Sequence, residues 1–327
     1  NATMRLRACL IAAVLSSAPI SPAMANPVGY GVAFDQLYRI ETSPPGATYI
    51  GEAGNFGGQP YGLLKGLTFG PGNTLYAISD SLTQKPIVTL NTANGRATYL
   101  SSLNLSGGTG QFNSLDFASA FTCDGQMWLT SATTRKLWRV NPATGQSTLV
   151  ATLAETLTGL AARGNELFAA GGRGNNSLYK VNTQTGTAML IGGFGAASSG
   201  WISTISLSFD ANGTLWSVLN YLPPAPGGST LVDWSDLARI DPATGLATVL
   251  GPITGPESLR GIGITGFTVG QTPCALPPPD GSTPPPATLP SSSTWSLAIL
   301  GLLLFAASAS RISRRRSAVQ RSGGNRA

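Results

Sequence analysis

The chain has 327 residues, of which 10% are charged, and a formal net charge of +6 with no histidine. The missing imidazoles exclude Ser-His-Asp triads, His-based acid–base catalysis and His-ligated metals. The positive charge does not speak for nucleic acid: Arg5, Arg7 and six arginines after residue 310 carry it, while residues 26–290 hold 12 basic against 14 acidic side chains.

The chain order begins with a leader. Met4 is followed by Arg5 and Arg7, the apolar run ACLIAAVLSSAPI and then SPAMA. A charged stretch, a short apolar core and an A-x-A cleavage site read as a secretory signal over residues 1–25, with three extra residues ahead of Met4. Export leaves Cys123 and Cys274 as an even pair in an oxidising compartment, able to form a disulfide or to stand apart as small residues.

Residues 28–270 repeat. LYRIETSPPGATYIG starts at Leu37, IVTLNTANGRATYL at Ile87, LWRVNPATGQSTLV at Leu137, LYKVNTQTGTAMLIG at Leu178 and LARIDPATGLATVL at Leu237. These starts are 50, 50, 41 and 59 residues apart, the period of propeller blades with one long insert. Each copy reads as a hairpin. Asn141 or Asp241 accepts from turn amides, Pro142 or Pro242 presets φ, and Gly145 or Gly245 supplies positive φ. The repeated PATG is therefore a turn recipe rather than a catalytic motif. A second strand pair precedes four of the copies, its second strand carrying Tyr76, Trp128, Phe168 or Trp216 near its start. The first copy lacks this pair, and 259–270 resembles the missing hairpin. The expected fold is all-β: a propeller of five four-stranded blades, the last closed by strands from both ends of the domain.

Blade topology sends the recipe turns to one face and the variable loops to the other. Binding residues favour such variable loops. The longest, 220–237, holds Tyr221, Asp233, Trp234 and Asp236, and Trp201 and Arg260 begin strands near the same face. These six are the ligand-binding candidates, for a glycan, a cation or a protein partner; the plainer reading is a surface loop whose Trp packs down on its own blade. The alternative is carboxylate chemistry on the axis: a lactonase-like or polysaccharide-acting hydrolase or lyase, calcium-assisted, using Asp116 with Asp80, Asn113 and Asn220. No spacing selects such a site, so no catalytic residue, metal ligand or cofactor is assigned.

The end of the chain is a targeting device. Residues 271–290 contain eight prolines and read as an extended linker. LPSSSTWSLAILGLLLFAASASRISRRR then runs from Leu289 to Arg316: a Pro motif and, within the sorting region 291–316, Trp295, an apolar helix over 295–310 and an arginine cluster. A 16-residue helix is about 24 Å long, enough to span with its flanks. Residues 317–327 read as a disordered tail. This order resembles the tripartite sorting tails of exosortase systems, closest to the IPTL-CTERM form and akin to PEP-CTERM. Leu289, Pro290 and Trp295 match the motif, Ser291 and Ser292 depart from it, and Arg311, Arg314, Arg315 and Arg316 form the basic end. The resemblance implies a Gram-negative bacterial protein, exported, held transiently in the inner membrane, processed by a membrane protease of exosortase type, and delivered to the cell surface or matrix. The repeats resemble secreted WD40-like or NHL-like propellers. The leading functional reading is a non-enzymatic surface or matrix binding protein.

Overall fold

The structure is a computed structural model that describes residues 26–108, 114–196, 201–221, 235–255 and 263–274. The signal, most of the linker and the sorting tail lie outside these residues. Among the described residues no helix is long and apolar enough to cross a membrane; the span read over 295–310 is not among them.

In chain order, β1 (Val28–Ala33), β2 (Gln36–Thr42) and β3 (Pro45–Glu52) come first, followed by a short hairpin of β4 (Asn55–Phe56) and β5 (Gln59–Pro60). The next sheet holds β6 (Leu64–Gly70), β7 (Thr74–Ser79), β8 (Pro86–Leu90) and β9 (Ala97–Ser102). Another holds β10 (Phe117–Phe121), β11 (Met127–Ser131), β12 (Lys136–Val140) and β13 (Ser147–Thr152). Then come β14 (Gly159–Arg163), β15 (Glu166–Ala170), β16 (Ser177–Val181) and β17 (Ala188–Gly193), and after them β18 (Ile202–Phe209), β19 (Leu215–Tyr221), β20 (Ser235–Ile240) and β21 (Ala247–Pro252). β22 (Gly266–Thr268) returns to pair with β1, giving the order β22-β1-β2-β3. The protein is thus a five-bladed propeller of four-stranded antiparallel sheets with one blade shared between the two ends of the domain.

The shared blade takes one strand from the C-terminal side, not the hairpin that 259–270 suggests. β22 pairs Gly266–Thr268 with Tyr30–Val32. The second place is already filled by β1, whose alternate glycines admit close neighbours. A Cβ on Gly29 would lie 2.8 Å from the Phe267 ring, and one on Gly31 would lie 3.1 Å from Ile264.

Burial follows from how blades stack. Five clusters of buried apolar side chains lie between neighbouring sheets, among the described residues. Trp138 and Trp216, at β12 and β19, are fully buried. The Trp216 indole donates to the turn residue Asp210 at 2.9 Å, and the Arg239 guanidinium lies 4.5 Å over its ring. A repeated aromatic therefore joins the blade-to-blade core to the turn of its own hairpin.

The recipe turns do what the repeats predict, and more. Asn141 Oδ1 accepts from Ala143 N at 3.0 Å and Asp241 Oδ1 from Ala243 N at 2.9 Å; Gly145 and Gly245 have φ of 72° and 79°. Each turn also seats on the outer strand of the preceding blade. A Cβ on Gly145 would overlap the Ser102 carbonyl oxygen, and one on Gly245 would lie 2.5 Å from that of Gly192. Gly125, also at positive φ (80°), faces open space. Gly125→Ala should therefore cost only the left-handed strain, roughly 1 kcal/mol. Gly145→Ala adds overpacking and should cost about 3 kcal/mol. Urea unfolding of the two variants checks this, and equal losses would show that the seam contributes nothing.

Candidate functional site

The inner strands β6, β10, β14, β18 and β22 surround the axis. All five line a central void of about 10 Å³, walled by small and apolar residues such as Gly66, Ser119, Gly159, Ser206 and Gly266. Hydroxyls fasten the inner strands, to the next inner strand through Ser119 and Ile205 and within one blade through the bond of Thr158 to Gly171. Ser119 donates to the Gly66 carbonyl at 2.5 Å, Thr158 donates to Gly171 O, and Ile205 N donates to Thr158 Oγ1 at 2.9 Å.

The lower mouth is crossed by chain. Gln271 donates to Gly70 O at 3.0 Å, Thr272 donates to Phe121 O, and Gly164 N donates to Pro273 O at 3.0 Å. Cys274 is bonded to Cys123, their Cα atoms 5.5 Å apart. Residues 271–274, placed in the linker by their sequence, thus belong with the propeller, and its compact unit ends at Cys274.

The upper mouth, where β6, β10 and β14 begin, holds the polar chemistry. Asp80, at the end of β7, is fully buried. Its carboxylate accepts from Ser114 Oγ at 2.7 Å and from the amides of Leu115 and Asp116 at 2.9 and 2.8 Å. Lys85 Nζ lies 3.0 Å from Asp80 Oδ1 and also donates to the Asp80 carbonyl. Lys65 Nζ lies 2.8 Å from Asp116 Oδ1, and Arg173 Nη2 lies 3.3 Å from Asp116 Oδ2. Lys65 and Lys85 are both buried. The two carboxylates that calcium chemistry would need are therefore already engaged by three cations. Among the described residues no group of three or more Cys, Asp or Glu side chains is placed to hold a metal ion. Asn220 packs instead against Gly263, where a Cβ would overlap its amide; Asn113 is outside the described residues.

Three residues of this cluster, Lys85, Asp116 and Arg173, have positive φ of 47°, 54° and 54°. Non-glycine residues adopt this region at a cost, and do so mostly where the surroundings fix a special geometry. Lys85, Arg135 and Arg173 stand in equivalent loops between the second and third strands of successive blades. That recurrence is the one sequence signal that could have revealed the cluster, since the residues are scattered along the chain.

The ligand candidates divide. Trp201 is 57% exposed, and its ring lies against Gly174, where a Cβ would come within 2.6 Å of the indole. It leans onto the neighbouring blade, whose loop is fastened by Arg173 N to Ser203 O at 3.0 Å and Gly174 N to Ile202 O at 3.2 Å. Tyr221 and Asp236 face each other across β19 and β20, the phenol donating to the carboxylate. Asp233, Trp234 and Arg260, like the sorting residues Leu289, Pro290, Trp295, Arg311 and Arg314–Arg316, lie outside the described residues.

Burial, then the Asp236 charge and its hydrogen bond, push the Tyr221 hydroxyl up to about 12. Burial also raises the Asp236 carboxyl, against the lowering effect of the same hydrogen bond. The raised phenol contributes stability that is fully present below its unfolded value of about 10 and is lost as pH climbs toward 12. An absorbance titration at alkaline pH should show a late tyrosine transition that Tyr221→Phe reduces, burial raising the Tyr61 hydroxyl as well. A transition unchanged by the substitution would contradict the burial of this hydroxyl.

No protein-family model matches the chain, and no curated protein matches it either. Among solved structures, a protein of unknown function from Bacteroides thetaiotaomicron is similar at 15% identity and a TM-score of 0.43, over 58% of this chain and 53% of that one, about half its length. A putative gluconolactonase is similar at 15% identity and a TM-score of 0.44, over 73% of this chain and 87% of that one. A chain of the nidogen/laminin complex is similar at 13% identity and a TM-score of 0.46, over 74% of this chain and 97% of that one. The propeller assignment itself stands on the sheet order and the ring of inner strands.

Proposed function

We propose that this chain is a non-enzymatic binding or scaffold protein, exported and displayed at the cell surface or in the extracellular matrix, with its propeller as the recognition module. The observation that carries the reading is the axis. Its walls are Gly, Ser, Thr and apolar residues, and the carboxylates at its upper mouth are held by Lys65, Lys85 and Arg173. Acid–base or metal chemistry needs carboxylates free to exchange protons or bind an ion. Here they serve as struts. Exposed Trp201 and half-exposed Arg173 stand on the face of the variable loops, where recognition is commonly placed.

Sorting through the tail completes the proposal: the signal directs export, residues 295–310 hold the chain in the inner membrane, and a membrane protease of exosortase type releases it. The test has two parts. The mature protein, recovered from cells and medium, should have lost residues 1–25 and the segment beyond the linker, and should cosediment with surface or matrix material. Recovery of uncleaved chain in the inner membrane alone, or turnover of lactones or polysaccharides by the purified protein, would overturn it.

A further inference from the structure

We infer that the upper mouth carries a subsite for a carboxylated sugar, a uronic-acid residue of an extracellular glycan, formed by Trp201 and Arg173. This deepens the binding reading above and rests on it. The cluster beneath contains the cations Lys65, Lys85 and Arg173 against the carboxylates Asp80 and Asp116, a surplus of one positive charge. The surplus falls to the member that solvent can reach: the Arg173 side chain is 45% exposed, against 10% for Lys65 and 9% for Lys85.

The next residue, Gly174, has φ of 88° and lies against the six-membered ring of Trp201. An indole and a guanidinium are thus carried by two segments that hydrogen bond to each other, Arg173 N to Ser203 O and Gly174 N to Ile202 O, one side chain apolar and flat, the other charged. A pyranose presents the matching pair. Its C–H face can bury against the indole, and a ring carboxylate can pair with the planar N–H fork of arginine. Among the described residues the guanidinium has one partner, Asp116, through Nη2, which leaves donors directed elsewhere. Lys65 holds the other Asp116 oxygen, so the carboxylate orients Arg173 rather than neutralising it fully. One further carboxylate meets this loop: Glu155 accepts from the Asn175 amide at 3.2 Å.

The test is calorimetric, on the mature chain in aqueous buffer, with trigalacturonate and its fully methyl-esterified form as probes. The ester keeps every ring and hydroxyl and replaces each carboxylate by a neutral methyl ester. The acid should bind at least tenfold more tightly than the ester, and its affinity should fall with salt. Trp201→Ala should weaken both probes tenfold or more. Arg173→Gln should erase the preference for the acid, and Arg173→Lys should keep part of it, with the thermal midpoint of each variant near that of the parent. Equal binding of the two probes, no binding of either, or full binding by Trp201→Ala overturns the inference. Cosedimentation with cell-surface material separates the levels: a parent chain that cosediments but ignores both probes loses the subsite and keeps the broader reading.

Discussion

Replacing Cys123 and Cys274 together by serine should lower the stability of the propeller by about 5 kcal/mol, the chain-entropy value for a closed loop of this length. The bond joins residues 151 apart, so it restrains most of the folded unit when the chain is unfolded. Its position enlarges the consequence. β22 holds the ring shut through three residue pairs with β1, and the segment after it is otherwise held by the bonds of Gln271, Thr272 and Pro273 across the lower mouth. Hydrogen bonds of this kind contribute roughly 1 kcal/mol each. Without the disulfide, β22 becomes a short terminal strand, and the shared blade should open first. Urea unfolding should show the loss, reproduced by adding reductant to the parent. Hydrogen exchange should speed up at Tyr30–Val32 and Gly266–Thr268 before it does in β10–β13. A loss below about 1 kcal/mol would mean that the hydrogen bonds alone close the ring.

The same bond matters to where force enters. A chain displayed through its C-terminal end would be pulled at Cys274, and the disulfide carries that pull to Cys123 in the turn between β10 and β11 without passing through β22.

The sequence disclosed the architecture because repetition is a local signal. The turn of Asn141, Pro142 and Gly145 recurs at a fixed place in each blade, and the φ of Gly145 confirms its role there. What the copies did not disclose is the second duty of that glycine, the close seat on Ser102 of the preceding blade. That contact joins residues more than 40 positions apart, and one sequence has no mark for it. The shared blade was legible as an idea but not in its count. The run VGYGVA, with two glycines in six residues, gives little strand signal, yet it forms β1 because those glycines admit Phe267 and Ile264. At the candidate site, the sequence offered Asp116 on an inner strand and Asp80 at a loop end and missed their cations. Lys65 and Arg173 reach Asp116 only when separate blades are brought around one axis, and Lys85 meets Asp80 through the fold of the single loop that holds both. Exposed aromatics are easier to find: Trp201 begins its strand just after a Gly/Ser-rich loop, where a large apolar side chain is out of place.

Asp80→Ala should cost about 3–5 kcal/mol, the range for breaking a buried ion pair by removing one partner. The substitution removes the acceptor of Ser114 Oγ and of two amides, and takes the carboxylate from a buried lysine. Those amides belong to the stretch that leads from one blade into β10, so the loss falls on the joint between blades. Asp80→Asn keeps the shape and one acceptor oxygen but no charge, and should cost about 2 kcal/mol, near the value of a charge-assisted hydrogen bond. Removing both charges in Asp80→Ala with Lys85→Met should recover part of the loss, because burying an apolar side chain avoids desolvating an ammonium. For a unit of this size, 3–5 kcal/mol lowers the thermal midpoint by roughly 6–20 °C. A double variant as unstable as Asp80→Ala would mean that the amide bonds, not the ion pair, make Asp80 indispensable. A double variant that recovers stability yet loses its preference for trigalacturonate would separate the two roles of the cluster: Asp80 supports the joint, and through the Asp116 amide it sets the carboxylate against which Arg173 stands.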